Sequence, residues 1–154
     1  MDLGLHVGKL LLAVVLGGVV GAERELHGKA AGLRTNIVIA VASALFTILS
    51  IDAFPVLGDA AGPRDTARVA AQIVTGVGFL GAGALIRDRA SVHGLTTAAE
   101  IWLMAAIGMA VGAGAYGAAI FTTVLITAIL FGLRPVSAWL GSKAKRESIA
   151  PKDE

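Results

Sequence analysis

The sequence predicts an all-α membrane protein of about five transmembrane helices, and three observations carry that prediction. Of 154 residues, 56% are apolar and 16% charged, with a mean hydropathy of +0.79. A soluble domain carries about 25% charged and about 45–50% apolar residues, so this chain lacks the polar material to cover a surface in water. The apolar residues also fall into long runs separated by short charged segments. Finally, much of the glycine, 20 residues in all, lies inside those runs, as it does where helices pack closely in lipid. The same composition excludes a disordered chain, and the absence of cysteine excludes a disulfide scaffold and thiolate chemistry.

The first span is predicted over residues 3–22, interrupted only by His6 and Lys9. No basic segment precedes it, so it is expected to stay in the protein rather than be cleaved as a signal peptide. A polar stretch, 23–34, leads to the second span, 35–54. Residues 55–66 include Pro55, Pro63 and three charges, which break helix and mark a water-facing loop. The third span covers 69–86 and is closed by Arg87, Asp88 and Arg89. From 101 to 133 no charge occurs. As one helix at about 1.5 Å per residue this run would extend roughly 50 Å, against a hydrocarbon core of about 30 Å, so it must fold back. The glycines of 112–117 are the predicted break, giving spans 95–111 and 116–133. Residues 1–135 thus form one transmembrane domain. The remainder, 136–154, is a short basic tail with no fold of its own, whose Lys143, Lys145 and Arg146 are expected against anionic headgroups.

Five spans place the termini on opposite faces. One face receives Arg24, Lys29, Arg34, Arg87, Arg89, Arg134 and the basic tail, whereas the other receives Arg64 and Arg68. The positive-inside rule then puts the N-terminus outside and the C-terminus in the cytoplasm. Although the net charge is +2 and the pI about 9.3, the basic residues form no face with interleaved aromatics. The expected partner is the lipid bilayer, not nucleic acid.

Within the spans, Gly17 with Gly21 and Gly108 with Gly112 have small-xxx-small spacing and are expected to pack helices. Gly76, Gly78 and Gly81 match a dinucleotide-binding fingerprint in form only, since that motif requires a preceding strand and this one lies in an apolar run. Together with Gly83 they predict a helix approached closely by its neighbours or locally distorted.

Ionisable groups in or beside spans are the functional candidates, because a charge in hydrocarbon is costly unless paired or watered. Glu100 lies about one and a half turns inside the fourth span, with Thr96 and Thr97 on the same face. It is equally well read as a proton or cation site or as a satisfied packing acid. Asp65, Arg68, Gln72 and Thr75 make a polar stripe on the third span, which should face a helix bundle or a pore. Glu23, Arg24 and Glu25 close the first span, and Arg34 and Asn36 open the second. These acids and arginines fit a bound cation or an ion-pair latch. Glu23 and Glu25 are sufficient for a weak magnesium site, although their spacing does not select magnesium over an arginine. No cofactor is expected beyond that. No Ser-His-Asp order, paired-histidine site or Walker sequence occurs, so an enzyme is not expected.

These segments together resemble the MgtC/SapB membrane proteins. The resemblance rests on residues 21–25 and 31–35, Asp65, Ala67, Arg68, residues 70–72 and the run 75–83, and continues through 94–99 to Trp102 and 105–108. It covers roughly residues 8–135. It implies a bacterial inner-membrane domain with a role in adaptation to low magnesium and, in pathogens, in survival inside macrophages. It also carries Glu23, Arg24, Glu25, Arg34, Asp65 and Arg68 over as motif positions, whereas Glu100 falls between matched segments. Longer members have a soluble C-terminal domain, so this chain is expected to be a membrane-only member.

Three readings follow. The first is a non-enzymatic regulator of membrane protein activity or ion homeostasis, engaging another integral membrane protein or a second copy of itself. The alternative is a transporter or channel for Mg2+ or H+ working as a homo-oligomer, with Asp65, Gln72, Thr75 and Glu100 along the route. In the third, a passive structural subunit, every charge is a satisfied pair.

Overall fold

In hydrocarbon every backbone N–H and C=O must find a partner within its own segment, and the apolar runs meet that demand as α-helices. The computed structural model describes residues 3–53, 66–87, 92–135 and 139. Five α-helices run through them: α1 (Leu3–Leu26), α2 (Leu33–Ile48), α3 (Thr66–Gly83), α4 (Leu95–Gly112) and α5 (Tyr116–Gly132). A π-helical turn, Leu49–Ala53, prolongs α2. A two-residue antiparallel pair joins α3 to α4, with Ile86 opposite His93 and Arg87 opposite Val92. Helix α1, α2 through Asp52, and α4 are each long and apolar enough to cross a membrane, and α5 is a shorter apolar helix. Phe54, Asp65, Asp88, Arg89 and, apart from residue 139, the tail 136–154 lie outside the described residues.

Helix α4 is the hub, packing on each of the other four, while α1 and α2 form the closest pair. Close approach is possible because the facing positions are glycine. A Cβ on Gly17 would lie 2.8 Å from the Asn36 carbonyl oxygen of α2, and one on Gly112 would lie 2.6 Å from that of Ala44. Gly21 and Gly108 face Leu33 and Ala40 in the same way. The core between these crossings is made by Leu16 and Val20 of α1, Ile39, Ala40 and Ala44 of α2, and Ile101, Met104, Ile107 and Val111 of α4. Outward faces carry Leu11, Val38, Phe79, Trp102 and Phe121, all exposed, which is the surface a lipid solvent requires.

Several elements differ from expectation. Helix α1 continues past residue 22 to Leu26, because its end is fixed by a Schellman cap: the Lys29 amide donates to the Arg24 carbonyl (3.0 Å) and the Gly28 amide to that of Glu25 (3.0 Å). Gly28 is left-handed there (φ 60°), a conformation glycine adopts without steric cost. The third span begins earlier, at Thr66, and ends at Gly83, so that Ile86 belongs to the strand pair. Helix α3 is regular, and of its four glycines only Gly81 approaches a neighbour, the α4 residue Ala98. A Cβ at Gly76, Gly78 or Gly83 would meet nothing within 4 Å among the described residues, so these glycines are not required there for close helix contact. At 100° per residue the buried row is Ile73, Val77 and Gly81, and the other three glycines fall to either side of it.

Candidate functional site

The buried charges collect at one end of the bundle, where α1 ends, α2 and α4 begin and α5 ends. Glu23 and Arg24 continue the buried row of Leu16 and Val20 along α1, and are 7% and 3% exposed. From α4, Thr97 and Glu100 meet them, and Glu100 is 3% exposed. Arg24 donates from Nη2 to the Thr97 hydroxyl (2.5 Å) and to the Ala30 carbonyl (3.2 Å). Its Nε lies 3.9 Å from Glu100 Oε2, an ion pair without a hydrogen bond. Glu23 is paired with Arg134, which follows α5, and the His27 Nδ1–H donates to the Glu23 carbonyl (2.7 Å). The network thus ties α1, α4 and α5 together. Asn36, fully buried in α2, donates to the carbonyls of Ala31 (2.6 Å) and Gly32 (3.1 Å) and holds the connection from α1. Ala31 adopts a left-handed φ of 57°, unusual for a residue with a Cβ, at the tightest point of that connection.

Partners do not exhaust the polar atoms. Among the described residues Glu23 Oε2, Asn36 Oδ1 and both oxygens of Glu100 are buried acceptors without a hydrogen bond, against a single such donor, Arg24 Nε. Acceptors therefore exceed donors, a balance that suits a proton, a water or a cation rather than an anion among these oxygens. On its inner side Glu100 borders Val20, Met104 and Ile107, so the network ends against apolar packing. Among the described residues no group of three or more His, Asp or Glu is placed to hold a metal ion.

The sequence candidates separate accordingly. Glu23, Arg24, Thr97 and Glu100 are brought together. Glu25 is not: two residues from Glu23 it points about 200° away, is exposed, and accepts the Leu33 amide (2.7 Å) at the start of α2. Glu23 and Glu25 therefore do not form a common magnesium site. Arg34 is exposed and makes no ion pair among the described residues. Thr96 is also exposed, because the buried arc of α4 is centred on Thr97, Glu100, Ile101 and Met104. On α3, Arg68, Gln72 and Thr75 are exposed, with the Thr75 hydroxyl donating to Ala71 (2.9 Å), and Asp65 lies outside the described residues. Of this stripe Gln72 borders an open groove against Ile39, Ser43 and Phe46 of α2, while Ile73, Val77 and Gly81 are the buried positions of α3. Gln72 and Thr75 therefore do not join Thr97 and Glu100 in one path.

Sequence reasoning missed two members. In the sequence Arg134 counts only toward topology, yet it pairs with a residue 111 positions away, a separation no local spacing reveals. Asn36 stands in the sequence only as a neighbour of Arg34, and its signal is an amide in an otherwise apolar run.

Residues 10–139 match the MgtC family. "Putative magnesium transporter YhiD" of Escherichia coli (strain K12) is 46% identical over 123 residues, covering 79% of this chain and 57% of that protein. "Protein MgtC" of Brucella abortus (strain 2308) is 42% identical over 134 residues, 87% of this chain and 53% of the relative. "Protein MgtC" of Salmonella typhimurium (strain 14028s) is 42% identical over 121 residues, 79% and 49% respectively. This chain spans about half the length of these relatives, and no solved structure matches it. With the match extending over most of its length, the chain belongs to the MgtC family.

Proposed function

We propose that this chain is a non-enzymatic protein of the bacterial inner membrane, with its N-terminus outside and its C-terminus cytoplasmic. It serves adaptation to low magnesium by regulating another membrane protein rather than by moving the ion itself. Relatives named MgtC and "Putative magnesium transporter YhiD" support the link to magnesium, and the MgtC resemblance extends it, in pathogens, to survival inside macrophages. The observation that carries the regulatory reading is the separation of the charged groups. The network of Glu23, Arg24, Glu100 and Arg134 lies at one end, and His6, Lys9 and Asp52 lie at the other. Between them the core is Leu16, Val20, Met104, Ile107 and Val111, and the buried polar side chains among the described residues of that layer are the hydroxyls of Ser43 and Thr123. Thr123 donates to the Ala119 carbonyl of its own helix (2.8 Å). An ion crossing such a layer loses its hydration without replacement, so a single chain offers a poor route.

A second reading, a homo-oligomeric transporter of Mg2+ or H+, draws support from Gln72 and Thr75, which are exposed on α3 where a second copy would enclose them. Magnesium flux into proteoliposomes separates the two. Folded, correctly inserted wild-type protein is expected to give no flux above empty liposomes. Saturable flux that disappears in Glu23→Gln or Asp65→Asn supports transport instead. Orientation is tested by Ala31→Cys in this cysteine-free chain, which is expected to resist impermeant thiol reagents applied to intact cells.

A further inference from the structure

Between the α1–α2 connection, the first turn of α4 and the end of α5 lies a cleft of about 740 Å³. Its titratable lining groups among the described residues are all basic: Arg24, Lys29, His93 and Arg134. The carboxylates stand behind the arginines, since neither Glu23 nor Glu100 lines the cleft although each pairs with one of them. Arg24 is almost wholly buried, with its Nε beside Glu100 (3.9 Å) on the side away from the cleft, and the Lys29 ammonium makes no ion pair among the described residues. The first turn of α4 lines the same space, with Gly94 supplying no side-chain cap to its leading amides, so the positive end of an 18-residue helix adds to the field. The facing wall, from Ile129 and Leu130 of α5, is apolar.

A cation-lined mouth beside an apolar wall, at the ends of transmembrane helices, has the chemistry of a site for a phosphate group that arrives on an acyl chain. The volume is that of a small-molecule site, far more than one elementary ion fills. We propose that this cleft binds a phosphate-bearing anion, either the headgroup of an anionic phospholipid or free phosphate. The proposal depends neither on the regulatory reading nor on which end is cytoplasmic.

Native mass spectrometry of the purified chain, titrated with phosphatidylglycerol, phosphatidylcholine or inorganic phosphate, tests it. Wild type is expected to retain phosphatidylglycerol in preference to phosphatidylcholine. Lys29→Ala should lower that retention about fivefold, the share of one basic side chain near a headgroup. Leu130→Trp, which fills the apolar wall without changing charge, should lower it as well. Arg34→Ala removes the same charge from an exposed position at the same end but outside the cleft, and should leave retention unchanged. Inorganic phosphate that binds alone with the same dependence on Lys29, and without a preference between lipids, supports the site and assigns it to the free anion. Equal losses in Lys29→Ala and Arg34→Ala would reduce the effect to general surface attraction and overturn the proposal. So would the absence of both lipid preference and phosphate binding. Circular dichroism of each variant keeps loss of fold distinct from loss of binding, and the charge and packing variants fail independently.

Discussion

The two ends of the bundle treat charge in opposite ways. At the basic end Glu23, Arg24 and Glu100 are all buried, and five of their polar atoms and those of Asn36 lack hydrogen bonds. At the other end His6 meets Asp52 at 2.8 Å with the Asp52 side chain 33% exposed, and Lys9 donates to the Gly112 carbonyl at 2.8 Å. One end thus holds its charges away from water with incomplete partners, whereas the other pairs a buried His6 with a partly exposed Asp52. Buried pairs of the first kind add little net stability but are costly to break singly, while border pairs contribute little either way. The difference makes the basic end the candidate functional site, since that is where buried polar atoms are left over.

Thermal unfolding in a constant detergent should reproduce that contrast. The largest effect is expected for Arg24→Ala, which leaves Glu100 buried opposite no cation and should destabilise by about 3–5 kcal/mol. Next is Gly108→Ala, whose added methyl would collide with the Ala40 backbone; overpacking of this kind costs about 1–3 kcal/mol. Asp52→Asn, at the border, should cost less than about 1 kcal/mol. Gly76→Ala, on the open side of α3, should be neutral or stabilise by up to about 1 kcal/mol, as alanine restricts the unfolded chain and meets no neighbour. A loss of several kcal/mol at Gly76 would instead place another helix against α3, which an oligomer would supply.

The fold was legible because lipid simplifies the problem: apolar runs have no alternative to helix, and the glycines at 17, 21, 108 and 112 sit at regular spacing on the faces that meet. The site was legible only in part. Glu23, Arg24 and Glu100 stood out as charges where charge is expensive, but their partners depend on how α1, α4 and α5 turn toward one another. Thr97 and Thr96 differ by one position, and only packing decides that the first meets Arg24 while the second faces outward. The glycines of α3 misled for a related reason, since their number suggests close packing while their angular positions place three of four off the buried row. Arg134 shows the limit most clearly, because its role comes from a contact between the first helix and the residue after the last, 111 positions apart in sequence.

The claim that the basic end acts as one linked unit, separate from the opposite end, is tested most directly by two double-mutant cycles on unfolding free energy. Glu23→Gln with Arg134→Gln should show a coupling above about 0.5 kcal/mol, because the two side chains touch, whereas Glu23→Gln with Asp52→Asn should be additive within about 0.5 kcal/mol. Additivity in the first cycle, or coupling of similar size in both, would contradict the account.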